Sequence, residues 1–164
     1  MPYVVIDLDG TLCNSAHRVD FALTKQWDEF HEKLCDDKPN EDVMWFIDLL
    51  DSLSSQPTEI DTKLWVDIIY LTGRPERYRE ATVNWFKKNM GNADFPILPD
   101  TLLMRPTNDF RPDHELKPAL LEEFIGSKEK VLQQVIVVLE DRDRMTESWR
   151  NYGLKCWQVR AGAY

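Results

Sequence analysis

A short apolar run near the start of the chain ends in two aspartates one residue apart. Residues 3–11 read Tyr-Val-Val-Ile-Asp-Leu-Asp-Gly-Thr, and an uninterrupted Val/Ile run is typical of a strand buried on both faces of a parallel sheet. Ligands of such sheets bind beyond the carboxyl ends of the strands, where Asp7 and Asp9 fall. Because alternate side chains of a strand point to the same side, we expect the two carboxylates to lie together, with Gly10 allowing a tight turn beside them.

This motif, Asp-x-Asp-Gly-Thr directly after an N-terminal apolar strand, resembles the first motif of the haloacid dehalogenase (HAD) phosphatase superfamily. Two carboxylates held so close repel each other, so a structural role is hard to explain without a cation or a proton between them. A solvated Asp-rich turn is the alternative. In the superfamily the first aspartate attacks phosphorus and the second is the general acid and base, so the resemblance implies these roles for Asp7 and Asp9.

Strand and helix patterns alternate along the rest of the chain. They predict an α/β fold, a parallel sheet flanked by helices, and the resemblance implies the HAD-like Rossmannoid version of it. Apolar residues at helical spacing predict helices over residues 20–35 and 41–53, the second with Asn40 as its N-cap. The other patterns predict strands at 64–71, 97–104, 131–139 and 154–159, helices at 76–89, 114–125 and 143–152, and a solvated loop at 54–58.

The composition is that of one soluble globular domain, which we expect to span residues 1–164. Charged residues make up 30% and hydrophobic residues 43%, and no apolar stretch resembles a membrane span or a signal peptide. Three widely spaced cysteines, Cys13, Cys35 and Cys156, predict reduced thiols and a cytoplasmic location rather than a disulfide framework or a zinc site. A net charge of −9 argues against an extended nucleic-acid groove, so any nucleic-acid contact should be local, at an end.

Further polar groups follow the other predicted strands, at the edge of the sheet where the aspartate pair is expected. Thr72, Gly73 and Arg74 come directly after the second strand, and the Thr72 hydroxyl can donate to a phosphoryl oxygen with Arg74 close by. Lys117 lies at the start of a helix and can neutralise the nucleophile and the phosphoryl group as charge develops. An ordinary turn and a solvated helical lysine are the alternatives for these positions.

Two more acids, Glu140 and Asp141, end the apolar run of residues 135–139. With Asp7 they can complete an oxygen shell for Mg²⁺, which accepts one or two carboxylates and keeps several waters. By analogy with the superfamily, Asp141 and the backbone carbonyl of Asp9 help to hold the metal, and Glu140 orients a bound water. The predicted Mg²⁺ site therefore consists of Asp7, Asp9, Glu140 and Asp141.

Along its whole length the chain also resembles the 3′-phosphatase domain of phage polynucleotide kinase. The resemblance is strongest at the C-terminal end, where the matching residues are Asp141-Arg142, Trp149-Arg150, Gly153, Cys156-Trp157-Gln158-Val159 and Gly162. Arg18 falls where that domain has an arginine required by its active site, which implies that Arg18, Gly73 and Arg74 bind the substrate. Two features differ: Glu140 replaces an aspartate, and the segment between the first motif and Thr72 is longer.

The segment of residues 13–40, here called the cap segment, is in the right place for a small helical cap over the site. Trp27 or Phe30 could stack on a base there, although their helical spacing favours core packing. No Gly-x-x-x-x-Gly-Lys-Ser/Thr phosphate loop is present, so we expect the kinase half of such enzymes to be absent.

The resemblance implies a Mg²⁺-dependent phosphomonoesterase that works through an aspartyl-phosphate on 3′-phosphates of nucleic-acid ends or nucleotides. A phosphatase of free metabolites, such as nucleoside 5′-monophosphates or sugar phosphates, is the alternative that the acidic charge favours. A non-catalytic binding module is the third, and the intact set Asp7, Asp9, Thr72, Lys117 and Asp141 argues against it. The sequence leaves the choice between RNA and DNA and the oligomeric state open.

Overall fold

The apolar run at the start of the chain forms β1 (Tyr3–Asp7). In the computed structural model, which describes residues 1–55, 66–91 and 99–162, β1 is the middle strand of a five-stranded sheet. In spatial order the strands are β5 (Leu102–Arg105), β4 (Asp67–Pro75), β1, β6 (Val135–Arg142) and β7 (Cys156–Gly162). Neighbouring strands are parallel throughout this sheet, so their carboxyl ends meet at one edge. The predicted α/β fold is confirmed.

Helices cover both faces of the sheet. They are α3 (Glu41–Ser55), α4 (Arg79–Met90), α5 (Asp113–Ile125), α6 (Lys128–Gln134) and α7 (Asp143–Tyr152). Val4 of β1 belongs to the same core cluster as Trp85 of α4, whereas Val5 belongs to a second cluster with Trp149 of α7. Successive residues of β1 therefore point to opposite faces that are both buried, which explains why the strand is continuously apolar.

The cap segment lies between β1 and α3. Its two ends pair as an antiparallel ribbon of β2 (Cys13–Asn14) and β3 (Lys38–Pro39). Between them lie α1 (Val19–Leu23), α2 (Trp27–Glu32) and the 3₁₀ turns Ala16–Arg18 and Leu34–Asp36. The helical pattern predicted over residues 20–35 is thus realised as two short helices, because the chain breaks at Lys25, which has a left-handed φ of 59°.

The remaining differences concern where elements begin and end. Residues 99–101, predicted as part of a strand, form a 3₁₀ turn before β5, and residues 72–74, predicted to follow the second strand, lie within β4. Residues 131–134, predicted as the start of a strand, are the end of α6, and β6 starts at Val135. The predicted helix at 76–89 opens with the 3₁₀ turn Glu76–Tyr78. Helix α3 extends through Ser55, and the other predicted loop residues, 56–58, lie outside the described residues, as do 64–65 and 97–98 of the predicted strands.

Two general expectations can be compared with the structure. The cysteines Cys13, Cys35 and Cys156 are free thiols, and the first and last are buried. In the described part of the chain, no helix combines the length and the apolar character needed to cross a membrane.

Candidate active site

The carboxyl ends of β1, β4 and β6 bring the predicted polar residues together. In the pairing of β1 with β4, Asp7 is opposite Leu71, the residue before Thr72. In the pairing of β1 with β6, Ile6 is opposite Leu139, the residue before Glu140. The three strands therefore deliver acidic and hydroxyl side chains to one small region at the edge of the sheet.

The turn after β1 is fixed by local hydrogen bonds. Gly10 has a φ of 91°, which suits glycine, and its N–H donates to the Cys13 carbonyl at 2.8 Å. The side-chain amide of Asn40 donates to the Thr11 carbonyl at 2.7 Å. The Asn40 carbonyl accepts the N–H of Met44 at 3.0 Å, so Asn40 is at the predicted N-cap position directly before α3 while its side chain holds the turn.

Three buried carboxylates form a cluster at this edge of the sheet. One oxygen from each of Asp7, Glu140 and Asp141 lies within 4.8 Å of the others. From α5, the Lys117 ammonium donates to Asp7 Oδ1 at 2.5 Å and to Glu140 Oε2 at 3.0 Å, and the Thr11 hydroxyl donates to Asp141 Oδ1 at 3.3 Å. The second oxygen of Asp7, Oδ2, is buried without a hydrogen-bond partner among the described residues.

This carboxylate cluster (Asp7, Glu140 and Asp141) carries more negative than positive charge. Burial and then Glu140 raise the pKa of Asp7 well above its ordinary value, and the same two causes raise the pKa of Asp141 to about 6. Burial also opposes the charge on Lys117, but Asp7 and Glu140 outweigh it and keep the pKa of this ammonium above its usual range. Several carboxylate oxygens lie close together here, and Asp7 Oδ2 has no hydrogen-bond partner among the described residues. Such oxygens are suitable ligands for a hard divalent cation, so these residues fit the predicted Mg²⁺.

The carboxylate of Asp9 lies in the opposite electrostatic environment. Arg74 donates to both of its oxygens, from Nη2 at 2.5 Å and from Nε at 3.0 Å, and Arg18 Nη2 also donates to it. Burial would raise the pKa of Asp9, but the two guanidinium groups, Arg74 foremost, outweigh burial and hold that pKa far below its ordinary value. Asp9 is therefore an anion in the free protein.

Asp37, which was not predicted as a site residue, fixes both arginines. Its buried carboxylate accepts Arg18 Nε at 2.7 Å and Nη2 at 2.5 Å, and Arg74 Nη2 at 3.1 Å. The indole N–H of Trp85 donates to the Asp37 carbonyl at 2.7 Å. No sequence pattern marks this residue, because an acidic pair in a short turn is typical of solvent-exposed chain.

Thr72 and Gly73 shape the end of β4. Thr72 is fully buried, and its hydroxyl accepts the backbone N–H two residues further on at 3.1 Å. A β-carbon at Gly73 would lie 2.8 Å from Asp113 Oδ1, so a larger residue would displace this carboxylate, which Arg105 and Arg142 hold. Asp113, also not predicted, pairs with Arg142 at the end of β6. Its position four residues before Lys117, on the same helical face, is a signal that could have identified it.

A cavity of about 1080 Å³ opens onto this arrangement, with walls that come from residues within 22–31, 105–114 and 142–145. The predicted site residues that line it are Asp7, Asp9 and Gly73. Arg18 and Arg74, predicted to bind substrate, are fully buried and contact Asp9 instead of lining the cavity. The cap segment and the loop before α5 thus enclose the two aspartates from different sides.

Comparison with known proteins identifies the family. The sequence profile described as "Polynucleotide kinase PNKP phosphatase domain" matches residues 2–164. The chain belongs to this family. A protein of the Autographa californica nuclear polyhedrosis virus, described as a candidate bifunctional polynucleotide kinase/RNA ligase, is 26% identical over 148 residues, which are 90% of this chain and 18% of that protein.

Among solved structures, the PNKP phosphatase domain resembles a chain in the "Structure of the Pnkp1/Rnl/Hen1 RNA repair complex". The TM-score is 0.68 at 27% identity, and the match covers 100% of this chain and 44% of that chain. The present chain therefore spans less than half the length of either relative.

Within this PNKP phosphatase domain the predicted residues form two adjoining groups with different charge. One group is the carboxylate cluster with Lys117, which has surplus negative charge. The other is Asp9 with Arg18 and Arg74, which Asp37 completes. Thr72 and Gly73, near the end of β4, belong to neither group.

Proposed function

We propose that the protein is a Mg²⁺-dependent phosphomonoesterase that removes 3′-phosphates from nucleic-acid ends or nucleotides. The observation that carries this proposal is the environment of Asp7. Lys117 fixes Oδ1 at 2.5 Å, while Oδ2 has no hydrogen-bond partner among the described residues. A carboxylate with one anchored and one free oxygen beside a cavity is suited to act as a nucleophile. The family, and the RNA repair complex that contains the structural relative, support a nucleic-acid end as the substrate.

Asp7 and Asp141 are the residues that would hold Mg²⁺. When bound, the ion would offset the surplus charge of the carboxylate cluster and polarise a phosphoryl oxygen. Glu140 accepts the backbone N–H groups of Asp141 and Arg142 at 3.3 and 3.4 Å, so it positions Asp141. Lys117 adds a fixed positive charge where negative charge develops during transfer.

The reaction begins with attack of Asp7 Oδ2 on phosphorus. An aspartyl-phosphate forms as the bond between phosphorus and the ester oxygen breaks. Asp9, once it has taken up a proton from solvent as the substrate binds, gives this proton to the leaving oxygen, and it later takes one from the water that hydrolyses the aspartyl-phosphate. Because a phosphate dianion entering beside Asp9 raises the pKa of its carboxyl against the pull of Arg18 and Arg74, the substrate itself prepares Asp9 to act as an acid.

A phosphatase of free metabolites is the second candidate. The net charge of −9 disfavours a long polyanion, and the cavity of about 1080 Å³ is large enough for a mononucleotide or a sugar phosphate. This alternative keeps the same chemistry and changes only the group that carries the phosphate.

A substrate panel at equal concentrations tests the proposal. It contains 3′-phosphorylated RNA and DNA oligonucleotides, nucleoside 3′- and 5′-monophosphates, sugar phosphates and an aryl phosphate, each measured with Mg²⁺ and with a chelator. We expect the 3′-phosphates to give the highest kcat/KM and the chelator to abolish turnover, with Asp7→Asn as the background control. A preference for 5′-monophosphates or sugar phosphates would replace the 3′-end assignment by the metabolite one, and no turnover at all would favour a binding module.

A further inference from the structure

Two exposed aromatic side chains line the cavity that holds Asp7 and Asp9. Phe110 is 89% exposed and Trp27 is 52% exposed. The helical spacing predicts core packing for both Trp27 and Phe30. Phe30 is buried as predicted, whereas Trp27 is not. Large apolar side chains that stay in water beside an active site indicate a surface that a ligand covers.

The loop that carries Phe110 is held in place by hydrogen bonds. Arg105 Nη1 donates to the carbonyls of Asp109 and Arg111 at 2.9 and 2.6 Å, and its Nε donates to the Gly73 carbonyl at 3.0 Å. The side chains of Arg111 and Asp109 also pair with each other at 2.6 Å. Phe110 is thus displayed from a braced loop, so its exposure is a property of the folded structure.

A series of side-chain contacts connects Trp27 on the cavity wall to the carboxylate of Asp9. Trp27 packs edge-on against Phe30, with ring centroids 6.1 Å apart. The Arg18 guanidinium lies over the Phe30 ring at 4.0 Å and donates to Asp9. A planar group held at Trp27 would therefore lie in the cavity that Asp7 and Asp9 also line.

Among the described residues that line the cavity, two cations have no ion-pair partner. Arg77, Arg105, Arg111 and Arg142 all form ion pairs, whereas Lys25 and Arg144 line the cavity and have no ion-pair partner among the described residues. Free cations beside exposed aromatics are the combination that single-stranded nucleic acid binds, through its phosphates and its base faces.

We propose that Phe110 and Trp27 stack on the nucleobase of the phosphate-bearing terminal nucleotide, and that Lys25 and Arg144 face the next phosphate along the strand. This inference rests on the proposed function and adds that the site recognises a nucleoside, not a phosphate alone. Because every base has an aromatic face, recognition by stacking is tolerant of base identity.

The test compares two trinucleotides with the same 3′-phosphate, one with a normal terminal base and one with an abasic terminal sugar. For Phe110→Ala and Trp27→Ala, the ratio of kcat/KM for the base-bearing substrate to that for the abasic one should fall about ten-fold, as for the loss of one stacking partner. Phe110→Trp should keep the ratio, because tryptophan still stacks. Trp45→Ala is the matched control, since Trp45 is 68% exposed on α3 and does not line the cavity.

An unchanged ratio in both Phe110→Ala and Trp27→Ala, or an equal fall in Trp45→Ala, would overturn the proposal. Failure of the proposed 3′-phosphatase function can be distinguished from failure of the stacking proposal, because the wild-type enzyme would then prefer 5′-monophosphates. In that event the same variants are compared on a nucleoside 5′-monophosphate and ribose 5-phosphate. A fall in that ratio supports the stacking site, and a constant ratio rejects it.

Discussion

Asp7 and Asp9 are two residues apart, yet their surroundings give them opposite charge preferences. Asp7 shares a buried cluster with two more carboxylates, which raises its pKa, whereas Arg74 and Arg18 overcome burial and lower the pKa of Asp9. Pairs of acids whose environments push their pKa values apart commonly have different tasks in one reaction. In the free protein these shifts are the reverse of what attack by Asp7 and proton donation by Asp9 require. A cation bound by the carboxylate cluster would lower the pKa of Asp7, and a phosphate dianion beside Asp9 would raise the pKa of Asp9.

Asp7→Asn should abolish turnover while the protein stays folded. The amide keeps the shape of the carboxylate but is a poor nucleophile, so we expect kcat to fall by at least about a thousand-fold. Stability should not fall, because one charge leaves a crowded acidic cluster and Lys117 still has Glu140 at 3.0 Å. Turnover of an aryl phosphate and the thermal midpoint, measured on the same sample, check both expectations. Substantial activity in a preparation of Asp7→Asn of verified purity would exclude a covalent role for Asp7.

Asp37→Asn should weaken both stability and activity. The Asp37 side chain is fully buried between Arg18 and Arg74, and breaking a buried ion pair on one side costs roughly 3–5 kcal/mol. Urea unfolding measures this cost, and kcat/KM should fall because the arginines that hold Asp9 lose their anchor. Asp36→Asn changes the same charge at an exposed neighbour and should change neither quantity. Equal effects of the two substitutions would contradict the anchoring role.

At the scale of elements, the sequence predicts best where one pattern is uninterrupted. Strand β1 and helix α7 have the predicted positions because a buried strand and a strongly amphipathic helix each leave a single periodic pattern. The prediction of a strand at residues 131–134 was wrong because Val131 and Leu132 continue the apolar run of β6. The helix there depends on a cap, in which the Ser127 side chain accepts the N–H of Lys130 at 3.3 Å.

The candidate site was predictable to the extent that its residues follow strands directly. Asp7, Thr72 and Glu140 could be placed together because parallel strands end at one edge. Asp37 and Phe110 belong to loops whose path depends on tertiary contacts, such as the bonds from Arg105 to the loop carbonyls, and no local pattern predicts these contacts.

Helix α2 introduces a pH dependence into the fold through His31. This residue is buried, packs against the ring of Tyr78 with centroids 5.1 Å apart, and its Nδ1 has no partner among the described residues. Burial lowers the pKa of His31 from 6.5 to about 4. Between these values the unfolded chain binds the proton more tightly than the folded one, so stability is full above pH 6.5 and falls as pH decreases toward 4.

His31→Gln should therefore reduce the loss of stability in acid. From pH 7 to pH 5, His31 accounts for a loss of about 2 kcal/mol in the free energy of unfolding, and the variant should lack this part of the loss. Urea unfolding at the two pH values gives the comparison. His114→Gln is the matched control, because it makes the same substitution at a histidine whose side chain is partly exposed. Identical pH dependence in the wild type and His31→Gln would contradict a neutral, buried His31.

At the scale of the whole molecule, the charge of −9 limits how nucleic acid can bind. A protein that follows a long strand releases many counterions, and its affinity falls steeply with salt. Here the cavity offers two unpaired cations, Lys25 and Arg144, among the described residues that line it. The surrounding acidic field opposes a polyanion, so the favourable contacts should be confined to the phosphate-bearing end.

Salt and strand length should consequently have small effects on the reaction. With about two phosphate contacts on a single strand, the logarithm of kcat/KM should fall against the logarithm of salt concentration with a slope of about −1.4. Extension of a 3′-phosphorylated substrate beyond three nucleotides should add little, because the described residues that line the cavity offer no further unpaired Lys or Arg. Initial rates at 50 to 200 mM salt, for substrates of two, three, six and twelve nucleotides, measure both effects. A slope near that of an extended basic track, about −4 or steeper, together with a continued gain with length, would show that the chain binds nucleic acid well beyond its end.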